Sequence, residues 1–337
     1  MHSPETAHPL HPPIAPYASA QVDVGDGHSL YVEQCGNPNG MPMVYLHGGP
    51  GSGCSPRHRQ FFNPELCRSV LFDQRGCGRS QPRGALQHNH TEALVNDIET
   101  LRRHLGIARW LMVGGSWGAG LALTYAAAHP EACLGLVLRG VFLGRATDID
   151  WFFQGAAQLL PDAWQQLADQ APANAGADVL AWLHAGLHGP DGATALACAT
   201  AWEAWEQSLS LQRAVAPRVL AEGAGDAALL LDKYRIQSHY LIHQCFREAG
   251  GLLPRGGALA GLPTAILQGR LDWICRAQAA WDVHQCLTAS RLHWVQGCGH
   301  NPFEFANAAA LVASIQHFAT HGNFSAWGTA FPHPPAV

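Results

Sequence analysis

A chain of 337 residues exceeds a typical single domain, and 47% hydrophobic content supplies a large core with material for an accessory unit. A formal charge of -5, with 13% charged residues and no basic clusters, argues against nucleic acid as a partner. No apolar run approaches the ~20 residues of a membrane-spanning helix, and Met1-His2-Ser3-Pro4-Glu5 lacks a basic stretch followed by an apolar one, so no membrane association is expected and the cytoplasm is the expected address.

Residues 1–16 are rich in Pro and His, which suits an extended or disordered arm without chemistry of its own. Polar and apolar residues then alternate over 20–35 around Asp26-Gly27, the pattern of a β-hairpin. Apolar runs at 43–46, 69–72 and 110–113 each lead into a Gly-rich turn and are separated by helical stretches. They read as buried parallel strands joined by crossover helices, with a fourth at 134–138 after a helix over 119–128. Between 147 and 250 the texture changes to Trp, Ala, Leu and Gln at helical spacing, which predicts a helical insertion. Strand signals return at 264–267 and 291–295, followed by an amphipathic helix over 306–320. The expected division is an arm (1–16), an α/β core (17–146 and 251–321), a helical insertion (147–250) and a tail (322–337).

Ten cysteines are scattered without a C-x-x-C pair and are read as reduced thiols. Twenty histidines include no H-E-x-x-H and no pair beside acidic ligands, so neither a metal nor a cofactor is expected.

Gly114-Gly115-Ser116-Trp117-Gly118 follows a predicted strand and opens a predicted helix, the context in which G-x-S-x-G raises a serine above an α/β-hydrolase sheet. Serine is a weak nucleophile at neutral pH and needs a base, itself oriented by an acid. Asp272 and His300 follow in the order this architecture uses, each in a loop just after a predicted strand. The bland alternatives are a Gly-rich turn, a solvated aspartate and a loop histidine. For the oxyanion, the backbone N–H groups of Trp117 and of Gly49, in His47-Gly48-Gly49-Pro50-Gly51, are the candidates. The glycine-rich run from Asp73 to Ser80 does not match a phosphate-binding loop and reads as a structural loop beside the site. These features predict an α/β-hydrolase fold, a mostly parallel sheet flanked by helices, carrying serine chemistry.

Over residues 13–317 the chain closely resembles the proline iminopeptidase family, which removes N-terminal proline from peptides. The likeness rests on the three glycine-containing motifs already quoted, on Leu138-Arg139-Gly140-Val141-Phe142, on Trp202-Glu203-Ala204-Trp205-Glu206 and on Gly269-Arg270-Leu271-Asp272. The resemblance implies that the insertion is a helical cap, that a small apolar pocket takes the proline ring, and that acidic residues hold the free amine. Phe142 and Cys275 match pocket positions, and Glu206 matches an amine-binding carboxylate, a solvated helix glutamate being the alternative. Arg139, Phe152, Phe153 and Gln237 belong to the same implied substrate-binding set.

The chain departs from the family where a second amine-binding glutamate is expected: Arg235-Ile236-Gln237-Ser238-His239-Tyr240 has Gln237 instead, and Phe152 and Phe153 stand where tyrosine is usual. Losing one charge from a desolvated pair costs up to about 3–5 kcal/mol, some hundred- to thousandfold in rate. The expected substrate is a short peptide with N-terminal proline. An esterase or amidase acting on small substrates without a free amine is the open alternative.

Overall fold

The computed structural model describes residues 9–171, 178–221, 223, 225–248, 250–253 and 257–328. Its first two strands, β1 (Ala18–Gly25) and β2 (His28–Gly36), form the antiparallel hairpin expected around Asp26-Gly27. Both turn residues take positive φ, 54° and 76°, which a two-residue turn must adopt to follow the strand twist. The strands β3 (Met41–Leu46), β4 (Cys67–Phe72), β5 (Trp110–Gly115), β6 (Cys133–Arg139), β7 (Thr264–Gly269) and β8 (Ser290–Val295) run parallel, and β2 joins them antiparallel at β4. The lateral order is β1-β2-β4-β3-β5-β6-β7-β8. Residues of β5 and β7 are buried throughout, so their sequences read as apolar runs rather than as alternations.

Successive strand residues serve opposite faces of the sheet. Val44, Leu46 and Met112 pack with α1 (Thr91–His104) and α2 (Trp117–Ala128), while Met43, Tyr45, Leu111 and Val113 fall in a second core with the last helix, Phe305–His321. That second core also takes Leu10, Phe324 and Trp327, so packing extends beyond 321 and the arm lies against the body, His11 N donating to the Gln60 carbonyl at 2.9 Å.

Between β6 and β7 lie the helices α3 (Ala146–Phe153), α4 (Pro161–Ala168), α5 (Val179–His188), α6 (Gly192–Leu211) and α7 (Gly225–Ile242). Asp178 and Asp191 cap α5 and α6 by accepting from the Ala181 and Thr194 backbone N–H groups at 2.9 and 3.1 Å. Buried Phe153, Trp202, Trp205 and Tyr234 fill the space between these helices. The chain re-enters the core through β7, α8 (Ala277–Cys286), β8 and α9 (Phe305–His321). Among the described residues no helix is long and apolar enough to cross a membrane.

Glu99 ties α1 to α2, the helix that carries the serine turn. It accepts from Tyr125 Oη at 2.8 Å, from Arg102 Nη2 at 2.6 Å and from Arg103 Nε at 2.7 Å. The hydrogen bond from Arg102 leads the effects that hold its carboxyl down at about 2, against the penalty of burial. Glu99→Gln is expected to cost about 1–2 kcal/mol of stability at neutral pH. A depressed folded-state value means that the contribution is complete above the ordinary glutamate value of 4.5 and is lost as pH falls through about 2. Urea midpoints of the two proteins should therefore differ at pH 7 and converge in strong acid.

Candidate active site

Ser116 stands between β5 and α2 in a strained conformation, with φ 58° and ψ -125°. A side chain there costs of order 1–3 kcal/mol. The surrounding backbone enforces it, with Ser116 N donating to the Arg139 carbonyl at 2.9 Å and the Ser116 carbonyl accepting from Ala119 N at 3.0 Å. Two flanking glycines make the turn possible. A Cβ on Gly118 would run into the Leu46 carbonyl, and one on Gly114 into the Gly118 carbonyl, so neither position has room for a side chain.

His300 and Asp272 arrive from the loops after β8 and β7, as expected. His300 Nδ1 lies 2.8 Å from Asp272 Oδ2, so the ring proton faces the carboxylate and Nε2 is left as an acceptor. The other oxygen of Asp272 accepts from the backbone N–H groups of Ile274 and Cys275 at 3.0 and 2.8 Å. Arg139 Nη1 donates to the His300 carbonyl at 2.5 Å, and Gly140, at φ 53°, leaves space for the pair, since a Cβ there would sit 3.0 Å from Asp272 Oδ2.

The turn holding Gly49 is fixed from the loop after β4. Gln74 N donates to His47 Nε2 at 3.0 Å, Gln74 Nε2 donates to the His47 carbonyl at 2.9 Å, and Gln74 Oε1 accepts from Trp117 Nε1 at 2.9 Å. One side chain thus ties the Gly49 turn to the residue after Ser116. Asp73 beside it accepts from Cys54 N at 2.6 Å and Arg79 Nε at 2.8 Å, in keeping with a structural loop. Gly49 has φ 116°, and a Cβ there would crowd Gly51 N at 2.6 Å.

A cavity of about 220 Å³ gathers Ser116, His300, Gly49, Arg139, Phe142, Phe152, Glu206, Gln237 and Cys275. It is smaller than the ~300–1,000 Å³ of drug-sized sites, which suits a small acyl group. Cys275 Sγ stands 3.8 Å from Ser116 Oγ, and burial pushes that thiol well up. Trp117 and Asp272 support the site from outside this lining. The expectation for Phe153 is corrected. Adjacent helix residues point about 100° apart, and Phe153 packs edge-on against Trp202 at 5.1 Å instead of facing the cavity with Phe152.

Glu206 sits at the polar end, about a quarter exposed, its two oxygens accepting from Lys233 Nζ at 2.8 Å and Gln237 Nε2 at 3.3 Å. Burial would raise its carboxyl, but the Lys233 ammonium and the hydrogen bonds to Lys233 and Gln237 prevail and hold it below the usual glutamate range. Sequence reasoning missed Lys233. The available signal was its spacing, since Lys233 and Gln237 stand four apart on α7 and share one helix face.

The α/β hydrolase fold family model matches residues 41–306. A proline iminopeptidase of Xanthomonas citri is 45% identical over 92% of this chain and 99% of its own length. One from Arabidopsis thaliana is 43% identical over 90% of this chain and 80% of its own. The chain belongs to the proline iminopeptidase family of α/β hydrolases. Among solved structures, the proline iminopeptidase of Mycobacterium smegmatis superposes with a TM-score of 0.59 at 16% identity, covering 92% of this chain and all of that one, a likeness of fold alone. At the polar end of this pocket Glu206 is already engaged by Lys233 and Gln237.

Proposed function

We propose that this protein is a serine hydrolase that releases N-terminal proline from short peptides through an acyl-enzyme. Ser116 Oγ attacks the prolyl carbonyl while His300 Nε2 takes its proton, and Asp272 holds the ring in the tautomer that leaves Nε2 free. The Trp117 and Gly49 N–H groups receive the oxyanion, each worth about 3–4 kcal/mol in the transition state. His300 then protonates the departing amine, and water resolves the ester. Residues 147–250 serve as the cap, Phe142, Phe152 and Cys275 enclose the ring, and Glu206 faces its nitrogen. Arg139 acts by positioning the His300 loop.

The observation that carries this reading is the meeting of Ser116, His300 and Glu206 in one small cavity, in a chain whose relatives are named for the same activity. A cytoplasmic setting accords with ten free cysteines. The test is the initial rate on proline p-nitroanilide beside a short-chain p-nitrophenyl ester. Cleavage of both supports the proposal, and cleavage of the ester alone would transfer the site to acyl substrates without a free amine, a second reading that Gln237 favours. Gln237→Glu returns a second carboxylate, and is expected to raise kcat/KM on the prolyl anilide about ten- to hundredfold through KM. The ester rate should stay where it was. An unchanged prolyl KM would remove residue 237 from amine recognition.

A further inference from the structure

The carboxylate at the polar end of the cavity already holds a cation, which reaches it from outside the lining. Lys233 Nζ donates to Glu206 Oε1 at 2.8 Å and to Tyr234 Oη at 3.2 Å, and stands 4.5 Å from the centre of the Tyr234 ring. Its position is set by the backbone, because a Cβ on Gly51 would strike the Lys233 carbonyl, so the Gly49 turn rests directly on this part of α7. Two neighbouring ionic groups are engaged elsewhere. Arg218 is taken by Glu203 at 2.6 Å, and His300 is turned to Asp272. Glu206, Lys233 and Gln237 together carry no net charge, and an arriving ammonium would have to share Glu206 with a tethered one.

The same end lacks a donor. Gln237 must turn Nε2 towards Glu206, because the opposite setting would oppose two acceptors. That leaves Gln237 Oε1 buried and, among the described residues, without a partner, on a residue only 6% exposed that lines the cavity. An orphan acceptor beside a satisfied carboxylate asks a ligand for an N–H and offers little to a positive charge.

We infer that Lys233 is a specificity-determining residue that occupies the Glu206 carboxylate with the protein's own cation, so that the enzyme also hydrolyses acyl groups whose ring nitrogen is an uncharged N–H, 5-oxoprolyl amides and esters above all. A lactam in a five-membered ring presents N–H and C=O side by side, and a primary amide is its complement. Gln237 Oε1 accepts the ring N–H, and the second hydrogen of Nε2 is available to the ring carbonyl. Chemistry at the exocyclic carbonyl is unchanged. Ser116 Oγ bonds to that carbon, the bond to the leaving nitrogen breaks, the serine proton passes through His300 to that nitrogen, and water then releases 5-oxoproline. The inference rests on the acyl-transfer reading of Ser116.

The test uses the full chain with proline p-nitroanilide, 5-oxoproline p-nitroanilide and, as a report on the Ser116 machinery, p-nitrophenyl acetate. Wild type is expected to cleave both anilides. Lys233→Met should shift the ratio of kcat/KM by at least about tenfold towards proline, mainly through the prolyl KM, and Gln237→Leu should lose the lactam substrate more than the acetate. A wild type that leaves the lactam untouched overturns the inference, and so does a Lys233→Met enzyme in which both anilides change alike, as a purely structural role would require. Should Lys233→Met lose acetate cleavage, Lys233→Gln replaces it in the same comparison. Failure on the prolyl anilide alone, with the lactam cleaved, counts against the proposed peptidase function while supporting the role of Lys233.

Discussion

Ser116→Ala is expected to lower kcat on proline p-nitroanilide about a millionfold, because the nucleophile, base and acid act as a unit and loss of the first leaves only binding and oxyanion contacts. Labelling by a fluorophosphonate should vanish with it. Residual turnover above about a hundredth of wild type would place the nucleophile elsewhere in the cavity, with the buried thiol of Cys275, 3.8 Å away, as the first residue to test. A second measurement at the same position separates chemistry from strain. Ser116 occupies φ 58°, ψ -125°, where a Cβ is unwelcome, and alanine keeps that Cβ. Ser116→Gly should be equally inactive yet more stable than Ser116→Ala by about 1 kcal/mol, read as a higher Tm. Equal melting temperatures would mean that the turn relaxes around the substitution.

The parts of this site that could be read in the sequence are those fixed by backbone geometry. A serine between glycines at a strand-to-helix turn can point in one way only, and the loops after β7 and β8 place Asp272 and His300 within 2.8 Å of one another. The hairpin at Asp26-Gly27 was legible for the same reason, since few residue pairs accept two positive φ angles in succession. What the sequence hid depends on the rotation of cap helices and the reach of long side chains. Phe152 and Phe153 are adjacent and chemically alike, and only the packing of Trp202 decides that one enters the cavity and the other does not. Lys233 was unremarked because a helix lysine is ordinarily solvated. Its ammonium reaches Glu206 through a tertiary contact between α6 and α7, of which the spacing to Gln237 along α7 gives only the shared face and not the partner. Phe324 and Trp327 escaped for a third reason, as a short Gly- and Pro-flanked segment has no period to announce that it is packed.

Asp272→Asn is expected to lower kcat about ten-thousandfold with little change in KM or stability. The hydrogen bonds of the carboxylate set the direction of the effect. Asp272 Oδ1 accepts from Ile274 N and Cys275 N, so the amide oxygen of an asparagine must stay on that side. Its Nδ2 hydrogens then face His300 Nδ1, at present 2.8 Å from Asp272 Oδ2, and Nδ1 becomes an acceptor. The ring proton moves to Nε2, the atom that has to receive the proton of Ser116. Geometry is kept and the tautomer is reversed. Asp272→Ala differs in a measurable way, for it leaves the Ile274 and Cys275 N–H groups unpaired as well, and should lower Tm where the asparagine variant does not. Steady-state rates on the prolyl anilide, the rate of fluorophosphonate labelling and thermal melts of both variants check the argument together. An asparagine enzyme within about tenfold of wild type would show that a different acceptor orients His300, and the acid of the proposed triad would have to be sought again.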